Sequence, residues 1–167
     1  MIAVQIQDIK DFMSKLLLGK AFDSFWLSEA TITTSVSYTI DGFLHPEFYD
    51  TQEAELLKEE GRTYALWRDM KPFCFSVIKG KKTPLSFKIV FMLSKKNTQK
   101  LLSSSMLSYQ PEDIFGLFVN FQFDGQNLTC TTGTSLKTFS LDKSLDRVWD
   151  EMILKFFKQQ QISCLSV

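Results

Sequence analysis

Apolar and polar residues alternate from the second position on. Ile2, Val4 and Ile6 are separated by Ala3 and Gln5, a period of two that predicts a strand with one buried face. The period then changes: Ile9, Phe12, Met13, Leu16 and Leu17 fall at helical spacing. Asp8 is placed to accept the first free backbone N–H groups, Asp11 suits the positive end of the helix, and Gly19 ends it. From Phe22 to Ile40 β-branched and aromatic residues dominate, with Ala30, Ile32, Val36, Tyr38 and Ile40 set between threonines and serines. This predicts two strands broken near Ser28 to Ala30, with a turn at Asp41-Gly42. Asp50 and Glu53 form a capping box for a short acidic surface helix ending at Gly61.

Trp67 to Lys79 fits two periods, but Leu66, Met70, Phe73 and Val77 keep helical spacing. A helix is predicted, capped by Asp69, with Pro72 in its first turn and Gly80 beyond its end. Leu85, Phe87, Ile89, Phe91 and Leu93 give the clearest strand. A helix follows from Ser94, exposing Lys95, Lys96, Gln99 and Lys100 and turning Thr98, Leu101 and Leu102 inward. Phe115 to Phe123 alternate up to Asp124-Gly125, and Leu128, Cys130 and Thr132 continue beyond it as a hairpin. Gly133 reads as a second turn leading to a strand from Leu136 to Leu141. Asp142 then caps a helix whose Leu145, Trp149, Ile153, Phe156 and Phe157 share one face and read as core. The tail from Gln159 to Val167 is uncharged and is expected either to fray or to dock.

Both halves run strand, lysine-bearing helix, then antiparallel strands turning at Asp-Gly. The expectation is an α+β domain of antiparallel sheets from a duplicated β-α-β-β-β unit, each copy burying the other's apolar sheet face, with the two lysine-bearing helices side by side. Its parts are a first repeat over 1–49, an insertion over 50–83, a second repeat over 84–141 and an added amphipathic helix over 142–160. The stretch LFVNFQFDGQNLTCTTGTSLKTFSL, with the strand and helix before it, resembles part of a DNA sliding-clamp domain. That resemblance implies paired helices presenting basic residues to phosphates, which here would be Lys10, Lys15, Lys20, Lys95, Lys96 and Lys100. Clamp chains carry three such domains where this chain has one, so a closed ring is not implied. The whole chain also resembles an uncharacterised family of proteins from anaerobic Gram-positive bacteria, which implies no function.

Composition narrows these readings. Sixteen phenylalanines and a hydrophobic fraction of 44% predict a large aromatic core. Nineteen basic residues balance nineteen acidic ones, so any nucleic-acid binding would need a local patch, and the lysine faces are equally what solvated amphipathic helices show. Cys74, Cys130 and Cys164 lack paired spacing and read as reduced thiols. The first residues are too short and too alternating for a signal peptide, and no apolar run reaches the roughly 18 residues of a membrane span. The expected compartment is the cytoplasm, with no membrane partner.

Candidate chemistry is sparse. His45, the single histidine, cannot build a multi-histidine metal site, and beside Pro46 it reads as a loop residue. Lys79, Lys81 and Lys82 flank Gly80 without the frame of a phosphate loop. The run from Thr131 to Lys137 places hydroxyls near a lysine, which a nucleophile would require, but it reads as strand and turn. Asp41, Glu47, Asp50, Glu53 and Glu55 lack the spacing of a metal loop. No catalytic residue, cofactor or metal is expected. The expected function is a protein-interaction or structural module, including self-association. The alternatives are a nucleic-acid-binding replication accessory and an enzyme with an unrecognised carboxylate or lysine site.

Overall fold

The period-two segments assemble into one open antiparallel sheet rather than two facing portions. The computed structural model describes all 167 residues, Met1–Val167. In chain order the strands are β1 (Ala3–Ile6), β2 (Trp26–Thr33), β3 (Ser37–Asp41), β4 (Ala65–Leu66), β5 (Ser86–Met92), β6 (Ile114–Phe123), β7 (Leu128–Leu136) and β8 (Cys164–Ser166). Their order across the sheet is β3-β2-β5-β6-β7-β1-β8, with β4 paired to β2. The helices are α1 (Ile9–Leu17), α2 (Thr51–Glu59), α3 (Trp67–Ile78), α4 (Lys95–Ser105) and α5 (Ser144–Gln159). The α+β class and the added C-terminal helix are as predicted.

Two expectations about the arrangement are corrected. The halves join edge to edge, because Phe87 of β5 is in register with both Ile32 of β2 and Phe123 of β6. The first-half strands also pair differently from the second: β5 pairs with β6, whereas β1 lies between β7 and β8, away from β2. Nor do the two lysine-bearing helices lie side by side, since α1 packs on α3 and α4 on a 3-10 turn at Pro111–Asp113. The span 50–83 is more than an insertion. Its first part, α2, buries only Leu57, but β4 extends the sheet and α3 drives Trp67 and Cys74 into the core.

Alternation gives the sheet two unlike faces. Ile32, Phe87, Ile89, Phe91, Val119, Phe121, Phe123, Leu128 and Cys130 share the inner face, under Phe12 and Leu16 of α1 and Trp149, Ile153 and Phe157 of α5. Phe22 is the hub, its ring centroid 5.7 Å from Phe12, 5.5 Å from Phe91 and from Phe121 and 5.4 Å from Phe156. The outer face carries Glu29, Thr31, Lys88, Gln122 and Thr129, with Lys88 Nζ 3.4 Å from Glu29.

Local signals place most ends. Asp8 and Ser94 cap α1 and α4 through the N–H groups of Asp11 and Asn97, and the Asp50–Glu53 capping box is complete. At Asp124-Gly125, Gly125 adopts φ +100°. The Asp124 carboxylate accepts the N–H groups of Asn127 at 2.7 Å and Gln126 at 2.9 Å, and these hold its carboxyl below the usual carboxylate range. Some ends move. Helix α3 starts two residues before Asp69 and carries Pro72 in its interior, and α5 follows Lys143, with Asp142 accepting the Ser144 N–H. The β2–β3 hairpin turns at Thr34–Val36 instead of at Asp41-Gly42. Gly133 is not a turn: it lies within β7 opposite Phe118, and residues 137–143 form no strand. The tail docks, since Ile162 is buried and β8 pairs with β1.

Candidate functional site

The break expected near Ser28 is a β-bulge. Leu27 faces Phe91 and Glu29 faces Val90, so Ser28 is one residue too many on β2. The extra residue reverses the alternation below it. Leu27 turns to the inner face and Trp26 to the outer, where it joins Met92 and Phe118 in one cross-strand row. Gly42 holds the bulge, its N–H bonding the Ser28 carbonyl at 3.0 Å. A Cβ on Gly42 would stand 1.7 Å from the Leu27 carbonyl oxygen, so only glycine fits there.

Trp26 is 7% exposed and stands in the wall between two clefts. The other two tryptophans donate their indole N–H groups, Trp67 to Leu16 O and Trp149 to Phe118 O, each at 2.9 Å. Trp26 Nε1 has no acceptor. Nor is it sealed in, because the buried side-chain polar atoms without partners are Arg62 Nε and Asn120 Oδ1.

One cleft, of about 560 Å³, is polar and takes in Asp23, Glu60, Arg62, Arg68, Lys96 and Asn97. It lies where the segment after α2 crosses the start of β2 and meets the start of α4. Asp23 is committed to Lys71, whose Nζ is 2.6 Å away. Arg62 and Lys96 form no ion pair, and Arg68 Nε reaches only Asp69 at 3.7 Å, in an exposed pairing. The second cleft, of about 330 Å³, is lined by Tyr64, Met92, Ile114 and Phe115 together with Lys95 and Lys137.

The six lysines singled out in the sequence do not share a surface. Lys95 and Lys96 reach the two clefts, whereas Lys100 faces α5 alongside Glu151 and Lys155. Lys15 is engaged by Asp11 at 2.6 Å and by Gln161 O at 2.9 Å. Lys10 and Lys20 are exposed. Strand directions put the start of α1, and so Lys10, at the end of the sheet opposite the start of α4.

The other candidates are placed as follows. His45 is 69% exposed in its loop, with Glu47 at 3.5 Å, and Lys79, Lys81 and Lys82 are exposed beside Gly80. Thr132 and Thr134 donate to Asp150 and Asp146 of α5. The acidic residues of 41–55 do not converge: the Asp41 side chain accepts the Phe43 N–H, and Asp50 and Glu53 cap α2. Burial pushes the Cys74 thiol up to about 11 and raises Cys130 and Cys164 in the same direction. No helix is long and apolar enough to cross a membrane.

Trp26, Arg62, Arg68 and Tyr64 were not singled out from sequence. The available signal was that two of the three arginines stand six residues apart around Ala65-Leu66. No curated protein and no solved structure matches the chain. A family model does match, over residues 15–164, and the chain therefore belongs to DUF5721, a family of unknown function.

Proposed function

We propose that the chain is a non-catalytic binding module that grips an extended segment of a partner protein across the two clefts beside Trp26. One observation carries this reading: a bulge held by Gly42 turns a nearly buried tryptophan to the outer face and leaves its N–H without an acceptor between two cavities. Bulges that re-aim a side chain recur at functional positions, and buried Trp, Tyr and Arg dominate the energetics of protein interfaces. Trp26 lines both clefts, so one occupant that fills the two must be extended, which favours a polypeptide over a compact ligand.

The non-catalytic part is supported by where reactive groups lie. His45 is out on a loop, the Cys74 and Cys130 thiols are kept protonated by burial, and the Thr132 and Thr134 hydroxyls are engaged. The likeness to sliding-clamp domains enters as ancestry, supported by the strand-helix-strand-strand order of both halves. A nucleic-acid role is the weaker alternative, because the lysines it would use are split between opposite ends of the sheet.

Peptides selected from a random display library on the immobilised chain test the reading. They should lose binding to a Lys96→Glu, Phe115→Ser double variant, which alters one exposed residue in each cleft. Peptides that bind this variant as tightly as the parent would place the interaction elsewhere and overturn it.

A further inference from the structure

We propose that the polar cleft beside Trp26 receives an oxyanion, a carboxylate or phosphate group carried on the partner segment; this rests on the reading of the two clefts as a protein-binding surface. Residues that line it carry donors of three kinds. The first is the guanidinium of Arg62, which forms no ion pair and whose Nε is sealed from solvent with nothing to bond. A buried N–H of a charged group is costly to leave unmade, and a guanidinium presents its donors in a fork that fits carboxylate and phosphate oxygens two at a time.

The second is the indole N–H of Trp26 in the same wall, attached to a residue 7% exposed. The third is the opening turn of α4, where Ser94, Lys96 and Asn97 line the cleft and the first N–H groups have no partner inside the helix. Ser94 Oγ takes up one of these, the N–H of Asn97 at 3.2 Å.

The charge balance points the same way. Among the lining residues Arg62, Arg68 and Lys96 are cationic. Of the two carboxylates, Asp23 is neutralised by Lys71, which leaves Glu60 as the one carboxylate facing three cations. The cleft is thus short of negative charge in a chain whose overall balance is even. An incoming oxyanion would correct the deficit, bonding the outer guanidinium N–H groups of Arg62 rather than its sealed Nε.

The chain has three indole N–H groups, and nitrogen-proton correlation spectra resolve them. Trp26→Phe removes one resonance and so assigns it. Inorganic phosphate, a hexaglutamate peptide and a neutral glycine-serine peptide are the titrants. The expected result is that phosphate or hexaglutamate shifts the Trp26 resonance while those of the buried Trp67 and Trp149 stay in place, with the stronger titrant naming the source of the oxyanion. Added salt should weaken the shift. Lys96→Glu, at an exposed position, and Arg62→Gln, with the rest of its spectrum intact, should each weaken binding by about tenfold or more.

A Trp26 resonance unmoved by both anions overturns the inference, as do variants that bind like the parent. If the neutral peptide moves that resonance as far as the anions do, the oxyanion is wrong and the binding surface stands. Display peptides insensitive to both clefts would instead remove the surface itself.

Discussion

Thr132 donates its hydroxyl proton to the Asp150 carboxylate and so ties α5 to the middle of β7. The same contact recurs between Thr134 and Asp146. Four residues of helix advance about 6 Å and two of strand about 6.6 Å, so the two pairs stay in step along antiparallel elements. The seam extends further, because Thr132 Oγ1 accepts the Ile2 N–H at 3.0 Å and the Met1 amine lies 3.1 Å from Asp150. Thr132→Val keeps the shape but strands the Ile2 N–H and one oxygen of Asp150, and should cost about 1–3 kcal/mol in urea unfolding. In a double-mutant cycle with Asp150→Ala the two losses should sum to more than the loss in the double variant. Strict additivity would show the contact to be unimportant.

Gly42→Ala should destabilise the fold by about 3 kcal/mol, since its Cβ would overlap the Leu27 carbonyl oxygen. Trp26 fluorescence should change with it, as the bulge that holds this residue is displaced. A variant with the stability and spectrum of the parent would mean that the bulge needs no glycine.

Burial pushes the Cys74 thiol from the usual 9.0 up to about 11. The folded state therefore holds this proton more tightly than the unfolded chain. The resulting stability is complete below about pH 9 and is lost as pH rises from 9 towards 11. Unfolding free energy should fall less steeply over that window in Cys74→Ala than in the parent. Equal slopes would show that Cys74 does not titrate in the way its burial implies.

Duplex DNA should not bind beyond the non-specific range, roughly 10⁻⁴ to 10⁻⁶ M at physiological salt. The six lysines are divided between opposite ends of the sheet and Lys15 is already engaged by Asp11 and Gln161. Tighter binding with a steep salt dependence in fluorescence anisotropy, lost on exchange of Lys95, Lys96 and Lys100 for Glu, would restore the nucleic-acid reading.

What sequence reveals here follows from how far each signal reaches along the chain. Helix α5, the Asp8, Ser94 and Asp50 caps and the strands around Phe87 and Phe121 rest on residues within a few positions of one another, and these were legible. Gly133 misled, because glycine favours turns but is also accepted in a strand where neighbouring residues supply the pairing. Strand β8 has no pattern of its own, being set by its pairing with β1. The clefts were hidden for a sharper reason: ordinary alternation puts Trp26 and Leu27 on the wrong faces, and the bulge that exchanges them needs Gly42, fourteen residues further on.

The position of β1 also shapes how the chain reaches this state. Val4 pairs with Cys130, so β1 has no partner strand until β7, far along the chain, has formed. Local hairpins such as β6–β7 can close early, whereas docking β1 on β7 requires closing a far longer loop. Refolding should therefore be slow for a chain of this length and end with β1 docking on β7 and β8 on β1. The same edge should be the first to open when amide exchange is followed under native conditions.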